Sequence, residues 1–279
     1  MKFYTLPKQM HVYAAVLLSG LLSYSLAHAQ GSGAVPTVSI TVKDDVRYIS
    51  GYGIPQHAAT NYQNLGIQPQ ATAFKVDASP QKAQVPTPVR SVDFFGVSLD
   101  GVPIKHAVSS YWDGNKDWGI LKKPLDKNGG AVTDVGYVYG GVPTGLISKK
   151  LTHVGYAADG FPIFVSKDNS FETSYRLSVS ERANPPYGPG GVPDGSYLND
   201  YTYVRKAGLL DECGGITVKE KYYIYVLTQD APHLPLCWSG KPDSTFLAKA
   251  KILTDGGSDD DGSALRGLSN HERRIRERR

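Results

Sequence analysis

Between Gln30 and Asp255 almost every window of the chain is broken by glycine or proline, so no stretch sustains the 3.6-residue apolar period of a long helix. The 279 residues hold 30 Gly and 18 Pro, the two residues least tolerated inside helices. What the chain offers instead is short alternation. Val38, Ile40 and Val42 alternate with polar or small neighbours over residues 37–43, Asp44-Asp45 turns the chain, and residues 46–50 return. Further strands are expected over 72–76, 89–99, 151–157, 161–166, 174–180, 222–228 and 246–253. The last has a short helix as its alternative, because Ala248, Lys249, Ala250 and Lys251 tolerate one. Long loops are expected at 52–70, 109–134 and 183–206. The expected fold is all-β, an antiparallel sandwich-like or twisted-sheet domain over residues 37–254.

One internal repeat stands out. Gly96-Val97-Ser98-Leu99-Asp100-Gly101-Val102-Pro103-Ile104 recurs without a gap as Gly155-Tyr156-Ala157-Ala158-Asp159-Gly160-Phe161-Pro162-Ile163. Each copy reads as a strand, an Asp-Gly tight turn and a departing strand, with glycine taking the positive φ. Two similar hairpins would suffice, but the longer match favours a duplicated unit whose copies pack about a pseudo-twofold axis.

The two ends carry different information. Lys2 and Lys8 precede an apolar run over 12–22, and Ala27-His28-Ala29 follows. That is the pattern of a secretory signal over residues 1–29, and the run is about half the ~20 residues a spanning helix needs. Residues 30–36 read as a flexible lead-in. No later segment is apolar enough to span a membrane. The expected location is therefore exported, periplasmic or extracellular. There Cys213 and Cys237 are expected to form a disulfide, the rival being a metal site that adds His233. Residues 255–279 carry six acids and six bases among glycine and serine and read as a disordered charged tail. Its basic end could touch anionic surfaces. Without the signal the 30 Lys+Arg fall to 28 against 26 Asp+Glu, a balance that argues against nucleic acid as a partner.

The stretch His153-Val154-Gly155-Tyr156-Ala157-Ala158-Asp159-Gly160-Phe161-Pro162-Ile163, followed by Leu210-Asp211-Glu212-Cys213-Gly214, resembles the exported YHYH-domain family. Gly53-Ile54-Pro55-Gln56-His57 and Asp100-Gly101-Val102-Pro103 are similar to earlier motifs of that family, so the likeness runs from about Arg47 to Gly240. The namesake motif departs. Tyr223-Ile224-Tyr225-Val226 stands where the family carries Tyr-His-Tyr-His. Alternate side chains of a strand share a face, so the family's two histidines would project together and could chelate a metal. Isoleucine and valine cannot. Here Ile224 and Val226 are expected on one face, Tyr223, Tyr225 and Leu227 on the other.

The remaining candidates are scattered. A residual metal site is expected from His57, His153, Asp159 and Asp211, if the fold brings them together, with copper, zinc or calcium as the ion. Glu212 stands beside it. Asp113-Gly114-Asn115-Lys116-Asp117 opens like a calcium loop, but Trp118 and Pro124 stand where an EF-hand needs glycine and glutamate. Tyr111, Trp112 and Trp118 could stack on a flat ligand or anchor their loop. No nucleophile elbow, zinc-protease or phosphate-loop motif is present. The expected function is an exported binding or accessory protein of unknown ligand. A metal-dependent extracytoplasmic enzyme and a surface interaction module are the alternatives. N-terminal sequencing of the exported chain should begin at Gln30; a product that retains Met1 would refute the signal.

Overall fold

The computed structural model describes residues 38–248 apart from 59, 60, 122 and 169. The expected signal, lead-in and charged tail all lie outside the described residues. β1 (Ser39–Lys43), β2 (Val46–Gly51) and β3 (Thr72–Asp77) form an antiparallel three-stranded sheet. β4 (Lys82–Pro88) follows. β5 (Phe94–Ser98) and β6 (Pro103–Lys105) enclose the first Asp-Gly turn, and β7 (Ser110–Tyr111) and β8 (Gly119–Ile120) make a small pair of their own. The hairpin β9 (Gly130–Thr133) and β10 (Gly136–Tyr139) comes next, then β11 (Leu151–Ala157) and β12 (Pro162–Ser166) around the second Asp-Gly turn. β13 (Tyr175–Leu177) pairs with β14 (Tyr201–Tyr203), β15 (Gly215–Val218) with β16 (Tyr222–Leu227), and β17 (Cys237–Gly240) with β4. Among the described residues the helical segments are three-residue 3₁₀ turns.

The largest sheet has eight strands in the order β15-β16-β12-β11-β5-β6-β10-β9. Read from the middle outward, both halves follow the same path, which is the arrangement a duplication about a twofold axis produces. The register agrees. At the central antiparallel pair Val97 faces Tyr156, and these are equivalent positions of the two repeats. Gly96 faces Ala157 while Ser98 faces Gly155, so the seam maps onto itself. Further out, Ile104 lies beside Tyr139 and its equivalent Ile163 beside Tyr225.

These outer contacts are parallel, β6 with β10 and β12 with β16, so the sheet is mixed and not purely antiparallel. Parallel neighbours require a crossover, and in each half the long segment after the repeat supplies it. The expected loop at 109–134 contains β7, β8 and the start of the β9–β10 hairpin, and the loop at 183–206 contains β14. Two- to four-residue strands are too short to leave a periodic signal. β4 escaped the sequence reading because Pro86 and Pro88 read as breaks, yet a strand with a single partner tolerates them. The expected strand at 246–253 is not formed where it is described. Residues Ser244–Phe246 make a 3₁₀ turn capped by Asp243, whose side chain accepts from the Thr245 N–H, and residues beyond 248 lie outside the described part.

One core joins the two larger sheets. Ile49, Phe74 and Val76 of the three-stranded sheet pack with Phe95, Val97, Ile104, Ile163 and Trp238. Phe74 stacks on Phe246 at 4.4 Å between ring centroids, and the indole of Trp238 donates to the Phe95 carbonyl at 2.9 Å. A second, smaller cluster on the other side gathers Leu151, Phe164, Phe171, Leu210, Ile224 and Val226. β16 therefore divides as its alternation implies, with Tyr223, Tyr225 and Leu227 in the main core. Cys213 and Cys237 form the expected disulfide, with Cα atoms 4.8 Å apart, and tie the turn before β15 to β17. Replacing both by serine opens a loop of 24 residues' separation and should cost about 3 kcal/mol by chain entropy. Urea denaturation of the double variant should show that loss; an unchanged midpoint would contradict it.

Candidate functional site

A short acidic turn precedes each outer hairpin. Asp126-Lys127-Asn128-Gly129-Gly130 leads into β9, and Asp211-Glu212-Cys213-Gly214-Gly215 leads into β15. In both, the aspartate Oδ1 accepts the N–H groups two and four residues ahead. The distances are 2.8 and 3.1 Å to Asn128 and Gly130, and 3.0 Å to each of Cys213 and Gly215. Such closure by a side chain is the usual work of aspartate in turns. The same carboxylate then receives a tyrosine hydroxyl from the second strand of the hairpin: Tyr137 of β10 at 2.8 Å on Asp126 and Tyr223 of β16 at 3.0 Å on Asp211. A Cβ at Gly130 would stand inside the Tyr137 hydroxyl, and one at Gly215 inside that of Tyr223, so only glycine lets each phenol through.

The second tyrosine of each strand holds the Asp-Gly turn of its own repeat. Tyr139 donates to Asp100 Oδ2 at 3.0 Å, and Tyr225 to Asp159 Oδ2 at 2.6 Å. A backbone N–H joins each carboxylate from outside the repeat, Gln56 on Asp100 at 2.9 Å and Gly240 on Asp159 at 2.8 Å. Asp100 and Asp159 are thus turn residues bound into the core, and all four tyrosine hydroxyls are pushed above their ordinary range, first by burial and then by the neighbouring carboxylates.

The two halves differ at two points. In the first, the Ser98 hydroxyl donates to Asp100. The equivalent residue in the second is Ala157, and Asp159 Oδ1 is buried without a hydrogen-bond partner. Burial lifts the Asp159 carboxyl to about 6, against the pull of the Tyr225 hydroxyl and the Gly240 N–H. The other difference lies at the outer pairs. Around Asp211 the space is filled. Lys82 Nζ lies 3.6 Å from Asp211 Oδ2 and 4.2 Å over the Tyr223 ring, and Ser239 donates to the Tyr223 hydroxyl at 2.7 Å. Around Asp126 it is open. A cleft of about 380 Å³ has Asp126, Tyr137 and His57 on its polar side and Leu65, Ile67 and Val132 among its apolar lining.

His57 stands beside the first pair, as Lys82 stands beside the second, but at the edge of the tyrosine ring instead of over its face. Its Nε2 is 3.5 Å from the Tyr137 hydroxyl and 3.9 Å from Asp126 Oδ2, and its ring meets Tyr137 edge-on at 5.6 Å. Nδ1 is buried and has no hydrogen-bond partner. Burial raises the Asp126 carboxyl, but the Gly130 N–H, the Tyr137 hydroxyl and the Asn128 N–H outweigh it and hold the group below its ordinary value. The group is therefore a carboxylate at neutral pH.

The four residues expected to hold a metal occupy separate surroundings. His57 is in the first-half cleft. His153 lies between Tyr156 and Phe164, with centroids at 4.9 and 5.2 Å, and its Nε2–H donates to the Gly155 carbonyl at 2.9 Å. Burial pushes its pKa down to about 4, so the ring is neutral at physiological pH. Asp159 and Asp211 serve the two turns of the second half and are linked at a distance, through Tyr225, Ser239 and Tyr223. Tyr111 donates to the Ser91 hydroxyl, and the Trp118 indole donates to the Tyr187 carbonyl while meeting Tyr197 edge-on. Trp112, also half-buried, opens the 3₁₀ turn between β7 and β8. Of the three, Trp118 ties the loop to the segment at 183–206.

Asp126, Tyr137 and Tyr139 were not singled out from the sequence. Their signal was present as a second repeat, Asp-x-x-Gly-Gly followed by Tyr-x-Tyr, lying 85 or 86 residues from its counterpart in this numbering. The fold defines a duplicated mixed-sheet domain whose turns hang on paired aspartates and tyrosines. A family model described as YHYH protein matches residues 73–240, most of the described chain, and the protein belongs to that family. The match ends at Gly240, the residue whose N–H caps Asp159, and begins after His57. A search of curated proteins and a search of solved structures each find no match.

The unpartnered Asp159 oxygen yields a prediction with a definite sign. A carboxyl raised from 3.8 to about 6 holds its proton more tightly in the fold, so its contribution to stability declines as pH rises from about 4 to 6. Ala157→Ser restores the hydroxyl that the first half has. It should lower the Asp159 pKa and stabilise the fold by about 1 kcal/mol at pH 7, with little gain at pH 4. Urea unfolding of variant and wild type across that range should show the gap widening with pH; a gap of constant size would reject the assignment.

Proposed function

We propose that the protein is an exported, non-catalytic binding or accessory domain whose ligand enters the first-half cleft over His57, Asp126 and Tyr137. One observation carries the reading. Of two equivalent aspartate–tyrosine pairs, the second is occupied by the chain's own Lys82, while the first opens into a cleft with apolar walls and a polar floor. A concave site with a few convergent polar groups is the ordinary form of a small-ligand site. The signal-like N-terminus supports export, and the disulfide is compatible with an oxidising compartment. No helix among the described residues is long and apolar enough to cross a membrane.

Val132 is the cross-strand neighbour of Tyr137 and half-exposed at the cleft, so Val132→Trp should cover the phenol without entering the core. Native mass spectrometry of the chain purified from its own host should show a bound ligand in the wild type. In Val132→Trp that ligand should be lost, while the melting temperature matches that of wild type stripped of its ligand. Equal retention in both would place the ligand elsewhere and overturn the proposal.

A further inference from the structure

We infer that the first-half cleft binds one divalent transition-metal ion, zinc or copper, through His57 Nε2, Asp126 Oδ2 and the Tyr137 oxygen. The inference rests on the reading of this cleft as the ligand site and specifies what it takes. The three atoms form a triangle with sides of 2.8, 3.5 and 3.9 Å. The point equidistant from its corners lies about 2.0 Å from each, which is the length of a zinc–nitrogen or zinc–oxygen bond.

The second half gives an independent argument. There the equivalent carboxylate and phenol ring hold a cation, the Lys82 ammonium, so this geometry is one in which the fold stabilises positive charge. The first half offers a carboxylate and a phenol again, with an imidazole nitrogen beside them as a third donor. An imidazole with a carboxylate and a phenol is a donor set for zinc or copper. Calcium takes six to eight oxygens and is disfavoured. On binding, the phenol hydroxyl loses its proton to solvent and the carboxylate exchanges that hydrogen bond for the metal. Water or a further ligand completes the coordination.

Metal-bound histidine needs an acceptor for its other ring nitrogen. His57 Nδ1 is buried and unpartnered, and it shares the space beside Gly145 with Asn128 Oδ1. Each of the two atoms lies 3.1 Å from the point where a Gly145 Cβ would stand. Asn128 is thus the side chain placed to orient the ring once Nε2 is occupied, a positioning residue.

The test is titration of the full chain, carrying no affinity tag, with zinc, copper and calcium salts followed by calorimetry. One equivalent of zinc and of copper should bind, and no calcium. The copper complex should show a phenolate-to-copper charge-transfer band that Tyr137→Phe abolishes. His57→Ala and Asp126→Asn should weaken binding by roughly a hundredfold or more, the upper end of what losing even an outer partner costs. Tyr137→Phe keeps the ring and guards against a folding artefact, and Lys82→Ala should leave affinity unchanged. Absence of stoichiometric binding, or binding that survives all three ligand variants, overturns the inference. If metal fails to bind while Val132→Trp still strips a co-purified ligand, the metal assignment falls and the binding cleft stands.

Discussion

The turns of this fold hang from aspartate carboxylates that accept the hydroxyls of buried tyrosines. A buried anion without partners is prohibitively costly, and a phenol deep in a core needs an acceptor. Each group therefore solves the problem of the other. The chain uses the arrangement four times, at Asp100, Asp126, Asp159 and Asp211. Each time the aspartate also closes a turn or caps a passing backbone N–H. The long segments that give no secondary-structure signal are held in place by these few directed contacts, more than by any regular ladder of their own. Glycine belongs to the same device, since a side chain at 130 or 215 would displace the phenol.

The pseudo-twofold turns this local device into a comparison. Two copies of one arrangement sit in one chain under the same solvent conditions, so each difference between them reports a local cause. Serine against alanine at 98 and 157 separates a satisfied carboxylate from one with an orphaned oxygen. Lysine against histidine beside Asp211 and Asp126 separates a filled site from an open one. The second half carries in addition the disulfide and the Ser239 bridge. The namesake strand lies in that half, and its aliphatic pair Ile224 and Val226 joins Phe164 and Phe171 in a dry cluster. The aliphatic residues at 224 and 226 are thus matched by the apolar packing around them.

Much of this was legible in the sequence. The glycine and proline punctuation implied an all-β chain, and the nine-residue repeat implied the twofold that the sheet order displays. The alternation of β16 assigned its two faces correctly. What escaped was whatever depends on distant partners. β4 has prolines and largely exposed residues, and it is a strand only because β17 lies beside it. The parallel contacts of β10 and β16 leave no trace in local periodicity. Asp126 and Tyr137 carry no unusual composition, and a second gapped repeat was their only mark. His57 was chosen for its resemblance to a family motif, yet its neighbours in space are residues that no local motif connects to it.

The central seam has an implication for the chain's history and for anyone cutting it. Gly96 and Gly155 are both kept bare because a side chain at either would strike the backbone opposite. Val97 meets its own counterpart, so the contact surface is complementary to itself. A half released from its partner would expose a strand edge whose best match is another copy of the same half. The intact chain thus joins by a peptide link two strands that meet in the register of a twofold pair.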